Sequence, residues 1–368
     1  MTESSFMLEA LELAKKGQFT SGKGACVGCI ISKNNQIIGE GFYEFFGAPH
    51  AEIMAIESVR KNYRNNFNEV LAGSTITVTL EPCSEFGKTP PCLDEILKYN
   101  FKKIIIGQLD ASQSSLERLK KSDIEVVTEE IPNELNKGFF KNLKYKKPYV
   151  RAKIAMSEDK KIAFIEDDNQ WITCSASRSD GHKFRALSDI VLTGSGTIKR
   201  DNPALDVRDS EITQLKNFQQ PIRAIIASES KLNADLKFFK TPGPKIIFCS
   251  NKDVYKNLDS VMDLEVFEIE DSKIKINLLR LLDELSSQDI HDVLLESGPK
   301  LITSFIEADL IDEFIIYIAP KILSNTALSF FEGEDSKSPF NSKDFILSEE
   351  ASIESDKRII YRRKNGIK

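Results

Sequence analysis

Thr75-Ile76-Thr77-Val78-Thr79-Leu80-Glu81-Pro82-Cys83 is the stretch whose reading decides the fold. Its β-branched run predicts a strand over 75–80. The Glu-Pro-Cys that follows marks a strand-to-helix turn, where an α/β architecture presents ligands. Ser84-Glu85-Phe86-Gly87-Lys88-Thr89-Pro90-Pro91 then leads to a second cysteine, Cys92, and upstream stands His50-Ala51-Glu52. One imidazole and two thiolates suit a tetrahedral zinc whose fourth position is open to water. Successive helical residues turn by roughly 100°, so His50 and Glu52 diverge and the carboxylate is left free to move protons.

A metal that lowers the pKa of its water toward ~7, beside a non-ligand carboxylate, is the apparatus of hydrolytic deamination. The signature of zinc nucleobase deaminases is His-x-Glu followed by Pro-Cys-x-x-Cys. The longer segment between Cys83 and Cys92 points to one branch of that superfamily. Buried packing is the ordinary fate of a cysteine pair, and it is the expectation for Cys26-Val27-Gly28-Cys29. That pair runs into an apolar strand, has no second CxxC and has no histidine nearby.

A chain of 368 residues suggests about two domains. Its 41% hydrophobic and 29% charged residues are those of an ordinary globular protein. A net charge of −6 argues against a nucleic-acid partner. Six cysteines without framework spacing suggest a reducing compartment. The first residues carry no basic n-region and no apolar run approaches a membrane span, so the expected location is the cytoplasm. Homo-oligomerisation stays open.

Helical spacing covers Phe6–Lys16, with Gly17 as C-cap. Strands are predicted at 27–31, 36–41, 75–80, 103–107 and 125–127, and helices at 50–62, 93–99 and 133–144. The basic, proline-ended run 141–148 is read as an exposed linker between a first domain, 1–146, and a second, 147–368. In the second, strands are predicted at 149–155, 189–193, 221–227, 245–249, 293–296 and 314–319. A helix is expected over 175–187 and a charged edge strand over 357–363. Both halves are therefore α/β. Two glycine turns, Gly194-Ser195-Gly196-Thr197 and Glu296-Ser297-Gly298-Pro299, each follow a strand and open a helix, a geometry suited to phosphate. Neither is a GxGxxG fingerprint. Trp171 is either core or a flat wall for a nicotinamide ring. Arg178, Arg185 and Arg208 are either a solvated face or guanidinium forks for a phosphorylated substrate.

Along nearly its whole length the sequence resembles the bifunctional riboflavin-biosynthesis deaminase/reductases. The resemblance is carried by Gly47-Ala48-Pro49-His50-Ala51-Glu52 and by Glu81–Ser84 with Gly87–Cys92. In the second half it rests on Pro148–Val150, Lys153–Ser157, Trp171–Thr173, His182, Arg185-Ala186, Gly194–Thr197, Asp201–Leu205, Arg208, Glu296–Gly298 and Leu310–Glu313. It implies a three-layer α/β/α cytidine-deaminase-like domain followed by a dihydrofolate-reductase-like one. The implied substrate is 2,5-diamino-6-ribosylamino-4(3H)-pyrimidinone 5′-phosphate, a small phosphorylated pyrimidine, which is deaminated before NADPH reduces its ribosyl group to ribityl.

By position, the resemblance implies zinc on His50, Cys83 and Cys92, with Glu52 as proton shuttle. NADPH would meet Ala155, Trp171, Thr197, Asp201, Ser228 and the run Gly298, Pro299, Lys300, Leu301, Ile302, Thr303 and Ser304. Asn169, Arg185, Leu205, Arg208 and Glu296 would hold the substrate, with Lys153 and Glu296 at the hydride-transfer centre. Lys199, Arg200 and residues near Ser228 stand equal as contacts for the 2′-phosphate.

The sequence departs from the family at Lys23-Gly24-Ala25 (usually Pro-Asn-Pro), Tyr43 (usually histidine) and Ser84-Glu85 (usually Ser-His), all near the expected deaminase pocket. In the second half, Ser157-Glu158-Asp159-Lys160 replaces Ser-Leu-Asp-Gly and Glu296-Ser297-Gly298 replaces Glu-Gly-Gly. Two further readings stay open: a reductase with a weakened, retargeted or structural zinc domain, and a nucleic-acid-editing deaminase with an appended module.

Overall fold

The structure is a computed structural model and describes residues 3–87, 89–129, 134–164, 171–228, 230–269, 276–323 and 327–364. The chain divides into two compact units, Met1–Lys144 with Leu215–Phe218, and Tyr145–Gln214 with Gln219–Lys368.

The first unit is built on β1 (Gly28–Lys33), β2 (Gln36–Phe42), β3 (Thr75–Leu80), β4 (Lys103–Gln108) and β5 (Glu125–Thr128). They are ordered β2-β1-β3-β4-β5. β1 is antiparallel to both neighbours, whereas β3, β4 and β5 run parallel. β3 and β4 are buried almost throughout because both faces of the inner sheet are covered. The helix Ala51–Asn62 buries Ala51, Ala55, Ile56 and Val59. Its close approach to β2 needs two glycines: a Cβ on Gly41 would lie 2.4 Å from the Ala51 carbonyl oxygen, and one on Gly39 2.6 Å from that of Ala55. A glycine pair two residues apart shares one strand face, and here that face seats the helix that begins beside His50.

The second unit holds β6 (Tyr149–Ser157), β7 (Lys161–Phe164), β8 (Ile190–Gly194), β9 (Ile222–Ser228), β10 (Lys245–Cys249), β11 (Leu264–Glu268), β12 (Asp292–Leu295), β13 (Glu313–Ala319), β14 (Ala327–Ser329), β15 (Phe345–Ile353) and β16 (Asp356–Arg363). Nine of them form one sheet in the order β11-β10-β9-β8-β12-β6-β13-β16-β15, while β7 and β14 pair separately. The sheet is parallel from β11 to β13 and antiparallel beyond. Alternation along β6 places Val150, Ala152, Ile154 and Met156 in one core and Ala155 in the other, with Leu294, Ile315 and Tyr317. β8 and β12 are neighbours whose carboxyl ends lead into the helices Ser195–Asp201 and Pro299–Glu307. Ligand sites in open α/β sheets lie outside such strand ends.

Two sequence expectations are corrected. β16 is not the edge strand, because it lies between β13 and β15. β15 was hidden by its polar run Ser348-Glu349-Glu350, which its half-exposed position permits. The basic run 141–148 is not all linker either: Lys141–Tyr145 closes the helix Lys137–Tyr145, with Lys141 and Asn142 buried. Lysine can lay its aliphatic stem along an apolar surface, so a basic run need not be solvated. The short helices Phe67–Leu71 and Ser115–Leu119 carry too few residues for a periodic signal. Cys26 precedes β1, and both it and Cys29 are buried and in no disulfide.

Candidate functional sites

His50 is the N-cap of the helix Ala51–Asn62 and has extended backbone (φ −68°, ψ 162°). Cys83 follows β3, and Cys92 is the first residue of the helix Cys92–Ile96. His50 Nδ1 lies 3.0 Å from Cys92 Sγ and 3.5 Å from Cys83 Sγ. The three donor atoms are all within 4.8 Å of one another. Tetrahedral zinc with bonds of about 2.0–2.3 Å has ligand–ligand edges of about 3.5–3.8 Å, so the donor set fits that ion. Thr89 Oγ1 stands 3.3 Å from His50 Nε2. An Nε2–H donated to that hydroxyl leaves the Nδ1 lone pair facing the sulfurs.

The two thiols are shifted in opposite directions. Hydrogen bonding from Cys92 leads the effects that bring Cys83 down to about 4, against the opposing effect of burial. Cys92 is pushed up by the same hydrogen bond and by burial. A metal cation needs both sulfurs as thiolates, so its binding would release the proton that Cys92 retains. Glu52 is 3% exposed, and burial lifts it above the ordinary carboxylate range while His50 pulls the other way.

Residues to which the sequence reading gave no role hold Cys83 in place. Glu81 accepts from Ser115 Oγ (2.6 Å) and from the Asp110 N–H (3.0 Å). Gln113 Oε1 accepts from the Ser84 N–H at 2.8 Å. Glu81 stood in the motif, but no local signal points to Gln113. Of the departures, Tyr43 meets His50 edge-on at 5.6 Å, and its hydroxyl accepts from the Gly47 N–H at 2.8 Å. Glu85 is exposed.

In the second unit, Arg185 grips Glu296 with two bonds, Nε to Oε1 at 2.6 Å and a terminal nitrogen to Oε2 at 3.0 Å. Lys153 Nζ lies 3.3 Å from the same Oε2. Burial alone would raise Glu296, but Arg185 and Lys153 outweigh it and hold the carboxyl well below its ordinary range. Arg208 bonds Asp206 through its guanidinium, and its N–H donates to His182 Nδ1 at 3.2 Å. Leu205 is buried at φ +62°. Burial, then Arg185 and Arg208, bring His182 down to about 4, so its imidazole is neutral at pH 7 and can accept.

The glycine turns are joined: the Gly298 N–H donates to Thr197 Oγ1 at 3.0 Å. Leu301 packs toward Gly194, and a Cβ added there would lie 3.5 Å from Leu301 Cδ2. Pro299 and Lys300 occupy the first turn of their helix, and Ile302 is buried. Thr303 Oγ1 accepts from the Glu332 N–H, and Ser304 Oγ donates to the Lys300 carbonyl. Ala155 is half-buried on β6, Ser228 ends β9, and Asp201 ends its helix with its carboxyl raised by burial. Trp171 is 72% exposed, with the Arg178 guanidinium 4.9 Å from its ring centre, so it is not a core residue. Asn169 lies outside the described residues.

Comparison with known proteins matches residues 1–108 to the family described as the cytidine and deoxycytidylate deaminase zinc-binding region, and residues 148–357 to the RibD C-terminal domain. The riboflavin biosynthesis protein RibD of Buchnera aphidicola is 34% identical over 382 residues, covering 100% of each chain. That of Escherichia coli is 34% identical, covering 89% of this chain and 90% of its own. The solved structure of Acinetobacter baumannii RibD superposes with a TM-score of 0.86 at 32% identity, covering 98% of both chains. A Thermotoga maritima structure described as a diaminohydroxyphosphoribosylaminopyrimidine deaminase/5-amino-6-(5-phosphoribosylamino)uracil reductase gives 0.83 at 31% identity, again covering 98% of both.

Proposed function

The chain belongs to the RibD family of riboflavin biosynthesis and is a bifunctional deaminase/reductase, and we propose that its two chemistries divide at residues 146/147 among the side chains described above. Its first half acts on the diaminopyrimidinone ribosyl phosphate and its second reduces the resulting aminouracil. The observation that carries this reading is a complete His50–Cys83–Cys92 donor set beside buried Glu52, on the same chain as the Lys153–Glu296–Arg185 cluster. A purely structural zinc has no use for a buried proton carrier, so the reductase-only alternative is disfavoured.

His50, Cys83 and Cys92 would hold a zinc ion, which would supply Lewis acidity and lower the pKa of a water toward ~7. Glu52, raised by burial, accepts the proton as water adds to the amino-bearing pyrimidine carbon and returns it to the departing ammonia. The joined turns at Thr197 and Gly298 and the helix beginning at Pro299 would seat the phosphates of NADPH, which would supply the hydride. Lys153 Nζ, tethered to Glu296, gives the accompanying proton as the ring-opened ribosyl group is reduced at C1′. Arg185 and Arg208 hold the phosphate or neighbouring hydroxyls beside Leu205 and Glu296, and Asn169 is assigned to the same substrate by the family resemblance alone. Among the described residues no helix is long and apolar enough to cross a membrane. Six cysteines in no disulfide support a cytoplasmic enzyme, and the net charge of −6 supports a small-molecule substrate rather than nucleic acid.

The test is product identification. Purified protein given the diaminopyrimidinone phosphate without NADPH should yield only the deaminated ribosyl compound, and with NADPH the ribityl compound. Reduction of a supplied aminouracil without any deamination would restore the reductase-only reading.

A further inference from the structure

Residues Ala204–Arg208 have no regular secondary structure, yet their backbone is held by side chains from elsewhere. Arg223 donates to the Ala204 carbonyl at 3.2 Å, and Arg185 to that of Asp206 at 2.9 Å. Gln220 bonds Val207 twice, Oε1 accepting from its N–H at 2.8 Å and Nε2 donating to its carbonyl at 2.9 Å. The Arg208 N–H is taken by His182. The Gln220 amide thus does for Val207 what the peptide of a neighbouring strand would do. Within this segment Leu205 holds φ +62°, a conformation that a bulky residue keeps only where its surroundings over-determine it.

Arg223 is 0% exposed and also donates to the carbonyls of Phe238, Thr241, Pro242 and Gly243. None of these acceptors is a carboxylate. A guanidinium taken out of water without a carboxylate partner is costly, and here the buried charge orders backbone. Arg185 bonds both the Asp206 carbonyl and Glu296, so the segment is tied to the cluster that contains Lys153.

We propose that Gln220 and Arg223 are positioning residues of the reductase site, fixing Ala204–Arg208 so that Leu205 and Arg208 are presented to the phosphorylated substrate. This rests on the substrate-binding role assigned to Leu205 and Arg208 above.

The test uses the full zinc-loaded chain, supplied deaminated intermediate and NADPH, and compares Gln220→Ala, Arg223→Lys and Arg208→Ala. Gln220→Ala should raise the KM for the intermediate about tenfold, the size expected for one to two net hydrogen bonds. Its kcat should stay within about twofold. NADPH affinity and deamination should be unchanged. Arg223→Lys, which keeps the charge but loses the fork, should shift KM the same way. If it does not fold, Gln220→Ala alone decides. Should Arg208→Ala leave KM unaltered, the substrate-binding assignment itself fails. If Arg208→Ala raises KM while Gln220→Ala does not, or if Gln220→Ala alters NADPH affinity instead, the positioning role is overturned.

Discussion

Gly24 and Tyr43 are sterically matched: a Cβ on Gly24 would lie 2.5 Å from Tyr43 Cε1, inside any tolerable contact. The ring cannot easily yield, because its hydroxyl is held by the Gly47 N–H and its face meets the edge geometry of His50. Two positions at which the sequence departs from its family are therefore one packing unit beside the zinc ligands.

Gly24→Ala should cost about 1–3 kcal/mol, as overpacking does, and should weaken zinc retention in chelator competition. Adding Tyr43→Ala should recover part of the zinc affinity. An unchanged metal affinity in Gly24→Ala would separate this pair from the metal centre.

Glu52→Gln should keep its zinc while deamination falls by ~10²–10⁴, the usual contribution of general acid–base catalysis. Cys92→Ser should lose metal and deamination together. Metal analysis beside turnover distinguishes the two variants, and both should reduce supplied intermediate normally.

Glu296→Gln removes the carboxylate that Arg185 and Lys153 share. Breaking a buried pair by deleting one partner costs about 3–5 kcal/mol. Thermal unfolding should report a clear loss of stability, and reduction should fail. Zinc content should persist because its ligands belong to the first unit.

His182 titrates near ~6.5 when unfolded, but burial with Arg185 and Arg208 holds it at about 4 in the fold, against the pull of Glu296 and Asp206. Between those values the unfolded chain binds a proton that the native chain does not. Its contribution to stability is therefore complete above about 6.5 and declines as pH falls toward about 4. Urea titrations across this window should show the decline, and His182→Gln should flatten it.

Much of the architecture was legible locally. Thr75–Leu80 is a strand as read because its residues are mostly β-branched, and Lys245–Cys249 likewise because a buried parallel strand announces itself as an apolar run. β15 escaped because an exposed strand next to solvent can be polar, and within the helix read over 133–144 the burial of Lys141 and Asn142 escaped because a lysine stem packs like a hydrophobe. The zinc donors were legible because a metal demands particular atoms, and few residue types provide them.

What the amino-acid order determined by itself was the donor chemistry: one imidazole, two thiolates, a non-ligand carboxylate and two strand-ending glycine turns. Only the tertiary structure decided that His50 presents Nδ1 rather than Nε2 to the sulfurs, that Glu296 is shared by Arg185 and Lys153, and that Gln220 and Arg223 brace the backbone before Arg208. Ligand types are properties of single residues and survive in a one-dimensional reading. Tautomer, ion-pair sharing and side-chain-to-backbone bracing depend on atoms brought within about 3 Å from distant points of the chain, and no spacing rule encodes such meetings.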